Sequence, residues 1–222
     1  MHSLVRHPNI VQIMGISLLK NSVYIISEFI DGKNLEDLVF GEDDESFLIK
    51  DCNKMNISRQ LLQAVAYMHN LKPQVVHRDI KPANILVARE TRVAKLCDMG
   101  LSKLKSNQSL SQTTYAIPGT PKYMAPECLL RKKGATAASD IWSVACTIVE
   151  MFTGTDIWEA ELDEAANEDQ IAGLTQVLSK GKLPRCLSET GDIGGLRAVI
   201  VKCFDFVEAN RPSAINVLHE IP

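Results

Sequence analysis

The sequence has no basic excess. Lys and Arg number 24 against 27 Asp and Glu, a formal net charge of −3, whereas a dedicated nucleic-acid binder carries the opposite balance. No stretch approaches the roughly 18 uninterrupted apolar residues of a membrane-spanning helix. The first nine residues already hold His2, Arg6, His7 and Pro8, so they form no apolar signal core. The six cysteines, at 52, 97, 128, 146, 186 and 203, never stand at C-x-x-C spacing, and no histidine completes a ligand set near them. Neither a zinc site nor a disulfide framework is expected, and scattered reduced thiols fit an intracellular protein, cytoplasmic or nuclear. Internal repeats are absent as well. What is present is ordinary: 222 residues, 45% hydrophobic and 23% charged, with 12 Gly and 9 Pro, suit one globular unit and exclude collagen-like or largely disordered chains.

Along the chain the front reads as strands and the rear as helices. Ile10 to Ile16 and Val23 to Phe29 are β-rich runs joined by Lys20-Asn21-Ser22, which predicts an antiparallel pair. Asn34 has N-cap chemistry for a short helix through Leu38 and Val39. The acidic run Glu42-Asp43-Asp44-Glu45 reads as a solvated loop. Ile57, Leu61, Leu62, Val65 and Met68 recur at helical spacing and predict a helix over about 54–70. Residues 102–118 are polar and aperiodic, a long loop of the kind that carries function. From Asp140 to Phe152 the chain is apolar almost all round, which predicts a buried central helix. Further helices are expected from about Ile193 to Phe206 and from Pro212 to the end.

The chemistry concentrates in His77-Arg78-Asp79-Ile80-Lys81-Pro82-Ala83-Asn84. A carboxylate, an ammonium and a carboxamide fall within six residues on a loop that Pro82 keeps out of helix. A second carboxylate, Asp98, follows a strand-like piece, with Gly100 able to turn the chain. Two Asp and one Asn make a hard oxygen set that suits Mg²⁺, which takes one or two carboxylates and leaves its other positions to phosphate and water.

This segment resembles the catalytic loop of eukaryotic protein kinases, H-R-D-x-x-x-x-N. Asp98-Met99-Gly100 resembles the D-F-G triplet, Ala125-Pro126-Glu127 is the A-P-E triplet, Asp140 opens the buried helix, and Arg211 is placed to pair with Glu127. The resemblance covers about residues 4–220. It implies an α+β, protein-kinase-like fold: a remnant of the β-rich small lobe with the hinge over 1–30, and a mostly helical large lobe over 31–222. It further implies ATP and Mg²⁺, a protein substrate with a Ser or Thr acceptor, and an upstream activating kinase in intracellular signalling. Lys81 together with Gly119-Thr120-Pro121-Lys122-Tyr123 is the serine/threonine pattern. Gly119-Thr120-Pro121 with Asp140-Ile141-Trp142-Ser143 is similar to the kinases that head phosphorylation cascades, while Cys203 to Pro212 is similar to the tyrosine-kinase-like group. Both groupings stand open at this point.

By the same resemblance, Asp79 orients the substrate hydroxyl, Lys81 steadies the transferred phosphoryl group, Thr120 bonds towards both, and Asn84 and Asp98 hold the metal. Ser27 falls at the gatekeeper position, the Glu28 carbonyl and the Ile30 N–H meet the adenine edge, and Leu86 packs beneath the ring. His77 and Asp140 are read as structural, as is the Glu127–Arg211 pair, and Met99 as a flexible substitute for the usual Phe. Cys97 is read as a small buried hydrophobe rather than a reactive thiol, and Arg131-Lys132-Lys133 as a solvated loop. Arg78 beside Asp79 suggests a phosphorylation switch on the 102–118 loop at Thr114, with Thr113 and Tyr115 able to substitute.

The departures are equally specific. The 222 residues contain no Gly-rich phosphate loop, no V-A-I-K-type lysine and no upstream helix glutamate, and His7-Pro8-Asn9-Ile10-Val11 resembles the segment that follows the regulatory helix. The chain is therefore read as beginning after those parts, and these residues by themselves are expected to lack phosphotransfer activity. The competing reading is an inactive truncated kinase or pseudokinase serving as a scaffold. A small-molecule phosphotransferase is disfavoured by the A-P-E triplet and the long loop before it.

Overall fold

A computed structural model of the chain describes residues 5–20, 22–41, 51–98, 119–165, 169–189, 193 and 195–221. Strand β1 (Ile13–Leu19) pairs antiparallel with β2 (Ser22–Ser27), Leu19 facing Ser22 across the turn. A second sheet has the order β3 (Gly32–Asn34), β4 (Ile85–Ala88), β5 (Ala94–Leu96), antiparallel throughout. Gly32 is required there: a Cβ at that position would sit 2.0 Å from the Val87 carbonyl oxygen. Asn34 caps helix α1 (Leu35–Phe40), its side chain accepting the Asp37 N–H at 2.8 Å. Helix α2 (Asp51–Asn70) buries Ile57, Leu61, Leu62, Val65 and Met68, the stripe its spacing predicts.

Behind the short helix α3 (Pro126–Leu129), helix α4 (Ala137–Thr153) forms the centre of the molecule, with every residue from Ser139 to Met151 buried. Thr136 and Ser139 form a capping box at its start, and Gly154, at φ +67°, ends it in the left-handed region that glycine tolerates best. Around it lie α5 (Glu159–Ala165), α6 (Gln170–Ser179), α7 (Arg185–Glu189), α8 (Arg197–Cys203) and α9 (Ala214–Glu220).

Element bounds differ from the sequence reading at several points: β2 stops at Ser27 rather than Phe29, and the central helix starts at Ala137 rather than Asp140. The first strand begins at Ile13, not Ile10, because Ile10 and Val11 are spent elsewhere. Ile10 forms a parallel bridge with Leu96 of β5, the Leu96 N–H donates to the Asn9 carbonyl, and the Val11 N–H donates back to Leu96, both at 2.9 Å. Asn9 supports that junction, donating to the Ala94 carbonyl and to Gln60. The helix expected from Ile193 is confined to α8, and the last helix starts after Ser213, whose hydroxyl caps it, rather than at Pro212. Ile16, Leu18, Val23 and Ile25 share one face of the β1–β2 ribbon and are all exposed. The acidic run 42–45 and the 102–118 loop lie outside the described residues.

Candidate functional site

The loop 77–84 is held from below by a single carboxylate. Asp140, in the first turn of α4, accepts the N–H groups of His77 (2.8 Å) and Arg78 (2.9 Å) and meets His69 Nε2 at 2.9 Å. Two successive amides thus point at one anion, and Arg78 takes φ +77°, a conformation costly for a residue with a side chain. The His77 ring links the loop to the end of β5: Nδ1 accepts the Asp79 N–H at 3.3 Å, and Nε2 donates to the Cys97 carbonyl at 2.9 Å. Burial lowers the His77 pKa, so the ring is neutral and works as a brace.

Lys81 is extended ahead of Pro82, and Pro82–Asn84 closes one turn of 3₁₀ helix. That turn aims Asn84 Nδ2 at Asp79, 2.7 Å from its carbonyl and 3.1 Å from Oδ2. The amide oxygen of Asn84 is then the atom left for a cation. Just past β5 the Cys97 N–H donates to the Asn84 carbonyl at 2.9 Å, and Asp98 is the next residue in the chain. Asp98 is exposed and lies at φ +58°, a second strained residue in the same small region. Carboxylate and amide oxygens are the donors Mg²⁺ prefers, so Asn84 and Asp98 are of the kind that would hold such an ion.

Thr120 closes the arrangement from the far side. Gly119 precedes it at φ +112°, and a Cβ there would stand 3.1 Å from the Arg78 carbonyl oxygen. The Thr120 N–H and hydroxyl both donate to Asp79 Oδ1, at 3.1 and 2.9 Å, while Lys81 Nζ donates to the Thr120 hydroxyl at 2.7 Å. Lys81 Nζ also lies 3.5 Å from Asp79 Oδ2. A half-exposed carboxylate is thereby fixed in one orientation with an ammonium alongside.

In the segment expected to be the hinge, Ser27 ends β2, and Ile30 and Leu86 are half-buried. Glu28 turns its side chain inwards, accepting from Lys95 Nζ at 2.7 and 2.9 Å and from the Gln12 N–H at 2.8 Å. Burial opposes the charge on Glu28, but these bonds outweigh it and hold the carboxyl below its ordinary pKa. Lys95 was not singled out from the sequence. The signal was its place between Ala94 and Leu96: alternation puts a lone cation on the face opposite two buried residues.

Glu127 and Arg211 meet in a buried, two-pronged pair at 2.7 Å on both arms. Arg211 also donates to the carbonyls of Ala138 and Asp205, its guanidinium lies 5.1 Å from the Trp142 ring centre, and Ser139 donates to Glu127. Burial, with the adjacent Asp98 charge, pushes the Cys97 thiol up to about 11, so it is protonated and unreactive. The Nε of Arg78 is buried with no hydrogen-bond partner among the described residues. Met99, Thr113 and Thr114 lie outside the described residues.

A second cluster, half-buried apart from Glu150 and Tyr123, was not assembled by the sequence reading. Lys122, in the 3₁₀ turn Pro121–Tyr123, reaches Asp156 and Glu150, and the Tyr123 hydroxyl donates to Glu150 at 2.8 Å.

The protein kinase domain family matches residues 1–221. MAP kinase kinase kinase wis4 of Schizosaccharomyces pombe is 35% identical over 96% of this chain and 15% of its own length. Mitogen-activated protein kinase kinase kinase ANP1 of Arabidopsis thaliana is 34% identical over 96% of this chain and 29% of its own. YODA, a mitogen-activated protein kinase kinase kinase of the same plant, is 33% identical over 97% and 22%. The chain thus spans less than a third of these relatives, and of the two groupings left open by the sequence they favour the cascade kinases. With the Asp79–Lys81–Asn84 loop, Asp98 and the Glu127–Arg211 pair disposed as described, and that family matched almost end to end, the chain belongs to the protein kinase domain family.

Proposed function

We propose that this domain transfers the γ-phosphate of ATP to serine or threonine hydroxyls of a protein substrate within a signalling cascade, the kinase of a MAP kinase being the substrate class that the names of its relatives suggest. The observation that carries the reading is the Asp79–Thr120–Lys81 network. In-line transfer forms a bond from the acceptor oxygen to phosphorus and breaks the bond to the leaving ADP oxygen, and the hydroxyl proton must go to a base. Asp79 is held to receive it. Oδ1 is fixed by Thr120, and Oδ2, with Asn84 and Lys81 nearby, is the oxygen that faces the acceptor. Lys81 supplies positive charge where the phosphoryl oxygens gather charge.

Mg²⁺, held by Asn84 and Asp98, would neutralise the phosphate oxygens. The Glu28 carbonyl and the Ile30 N–H take the adenine edge above Leu86, with Ser27 leaving the space behind it open. Residues 1–30 serve as small lobe and hinge, and 31–222 as the large lobe. A scaffold without catalysis is not favoured, since the large-lobe residues that such transfer needs are all present. The setting proposed is intracellular, that of a cascade kinase. Among the described residues no helix is long and apolar enough to cross a membrane.

The protein at its natural length, given Mg²⁺ and labelled ATP with a MAP kinase kinase, should label serine and threonine. Label on tyrosine alone, or none, would sink the reading.

Arg78 supports a regulatory reading of the same site. Its buried Nε has no partner among the described residues, and a phosphate at Thr114 or Thr113 could supply one through a charge-assisted bond. An upstream kinase would place that phosphate. Phosphatase treatment should lower the transfer rate, and Thr114→Ala should remove the response; an unchanged rate after treatment rejects the switch.

A further inference from the structure

We propose that Lys122 is a positioning residue: its ammonium, clamped between Asp156 and Glu150, fixes the Pro121–Tyr123 turn against α4 and so sets where Thr120 meets Asp79. The proposal rests on the phosphotransfer reading above for its kinetic arm. Thr120 and Lys122 are two residues apart and face opposite ways. Thr120 spends its N–H and hydroxyl on Asp79. Lys122 Nζ donates to Asp156 Oδ2 at 2.5 Å and lies 3.5 Å from Glu150 Oε1.

Everything around Lys122 ties the same turn down. The Lys122 carbonyl accepts Trp158 Nε1–H at 2.8 Å, the Tyr123 hydroxyl donates to Glu150 Oε2 at 2.8 Å, and Ser143 donates to the Tyr123 carbonyl at 2.7 Å. The Ile157 N–H closes the ring at Glu150 Oε1, 3.0 Å away. Glu150 has a fully buried side chain, and a carboxylate so placed needs a countercharge. Lys122 supplies it. Burial opposes the Lys122 charge, but the two carboxylates outweigh it and raise its pKa, so the ammonium persists.

Remove the charge and Glu150 must either protonate or pull towards the remaining donors, which drags Tyr123. With Pro121 rigid between them, Thr120 moves too. A misplacement of about 1 Å near reacting groups can cost roughly 100-fold in rate.

The test compares Lys122→Met, which keeps the apolar stem, with Lys122→Arg, each in the protein at natural length. Lys122→Met should lower kcat roughly 10- to 100-fold while the KM for ATP stays within about two-fold, and Lys122→Arg should recover most of the loss. Because the effect passes through Thr120, Lys122→Met added to Thr120→Ala should cost little more than Thr120→Ala alone. The Thr120 amide should exchange hydrogen faster in Lys122→Met, a readout independent of phosphate transfer. A protein that transfers nothing therefore sinks the phosphotransfer reading, while the exchange arm still decides the clamp. Should Lys122→Met fail to fold, Asp156→Asn, at a more exposed position, should show the same pattern in smaller measure. Losses that multiply, a kcat within two-fold of the parent, or an unmoved Thr120 amide would overturn the proposal.

Discussion

Asp79→Asn is expected to cut kcat by roughly 10³- to 10⁴-fold, the upper half of the range for loss of a general base. Two losses combine. An amide cannot take the acceptor's proton, and it cannot satisfy its neighbours either. Oδ1 faces two donors from Thr120, and Oδ2 faces Asn84 Nδ2 and Lys81 Nζ. Whichever way the new amide turns, its NH₂ meets a donor. The KM for ATP should hold, because the adenine contacts proposed for Glu28 and Ile30 do not involve Asp79. Steady-state kinetics beside a thermal melt separate the outcomes: an intact melt with a rate within ten-fold of the parent would show that Asp79 does not do this work.

That site was largely readable from sequence because its chemistry is local. Asp79, Lys81 and Asn84 share one loop, and Pro82 fixes its character before any fold is known. The central helix was equally open, since an all-apolar run has only one place to go. The partners of Lys95 and Lys122 were not. Lys95 carried a period-two signal for its face, but only the fold reveals Glu28 as its partner on that face. Lys122 entered the sequence reading only as part of the Gly119–Tyr123 pattern; the return of the chain at Asp156, with Glu150 on α4, makes it a half-buried, paired charge. The split of Ile10 and Val11 from β1 is of the same kind, decided by Leu96, 86 residues after Ile10 (96 − 10). Patterns of period two or 3.6 report a segment's own faces, not the distant partner that chooses among them.

Arg211→Met should destabilise the fold by about 3–5 kcal/mol, the cost of leaving a buried partner unpaired. Glu127 and Arg211 are almost without solvent contact, and the guanidinium also serves two carbonyls that would lose their donor. Glu127→Met with Arg211→Met together should cost less than Arg211→Met alone, since no lone charge remains. The pH dependence follows from the pair. Burial alone would raise the Glu127 pKa, but the bonds and charge of Arg211 outweigh it and bring the folded value below the ordinary one. Such a group stabilises the fold above its unfolded pKa, and the contribution fades as pH falls through the depressed folded value. Melts from neutral to acid pH should therefore show the parent losing stability below the ordinary glutamate range, with Glu127→Gln lacking that component. An Arg211→Met protein within about 1 kcal/mol of the parent would contradict the reading.

The grip of Asp140 on the loop above it has a consequence for the order in which the protein is made. The carboxylate and the two amides it holds are 63 and 62 residues apart in sequence. Synthesis runs from the N-terminus, so residues 77–84 leave the ribosome well before Asp140 does. Through that interval the nascent chain carries the whole signature motif with nothing to bend Arg78 into its strained backbone. Long-range contacts of this kind are slow to close, because the intervening chain must be ordered first. The loop is thus expected to take its strained shape only when the helix at the centre of the molecule has arrived.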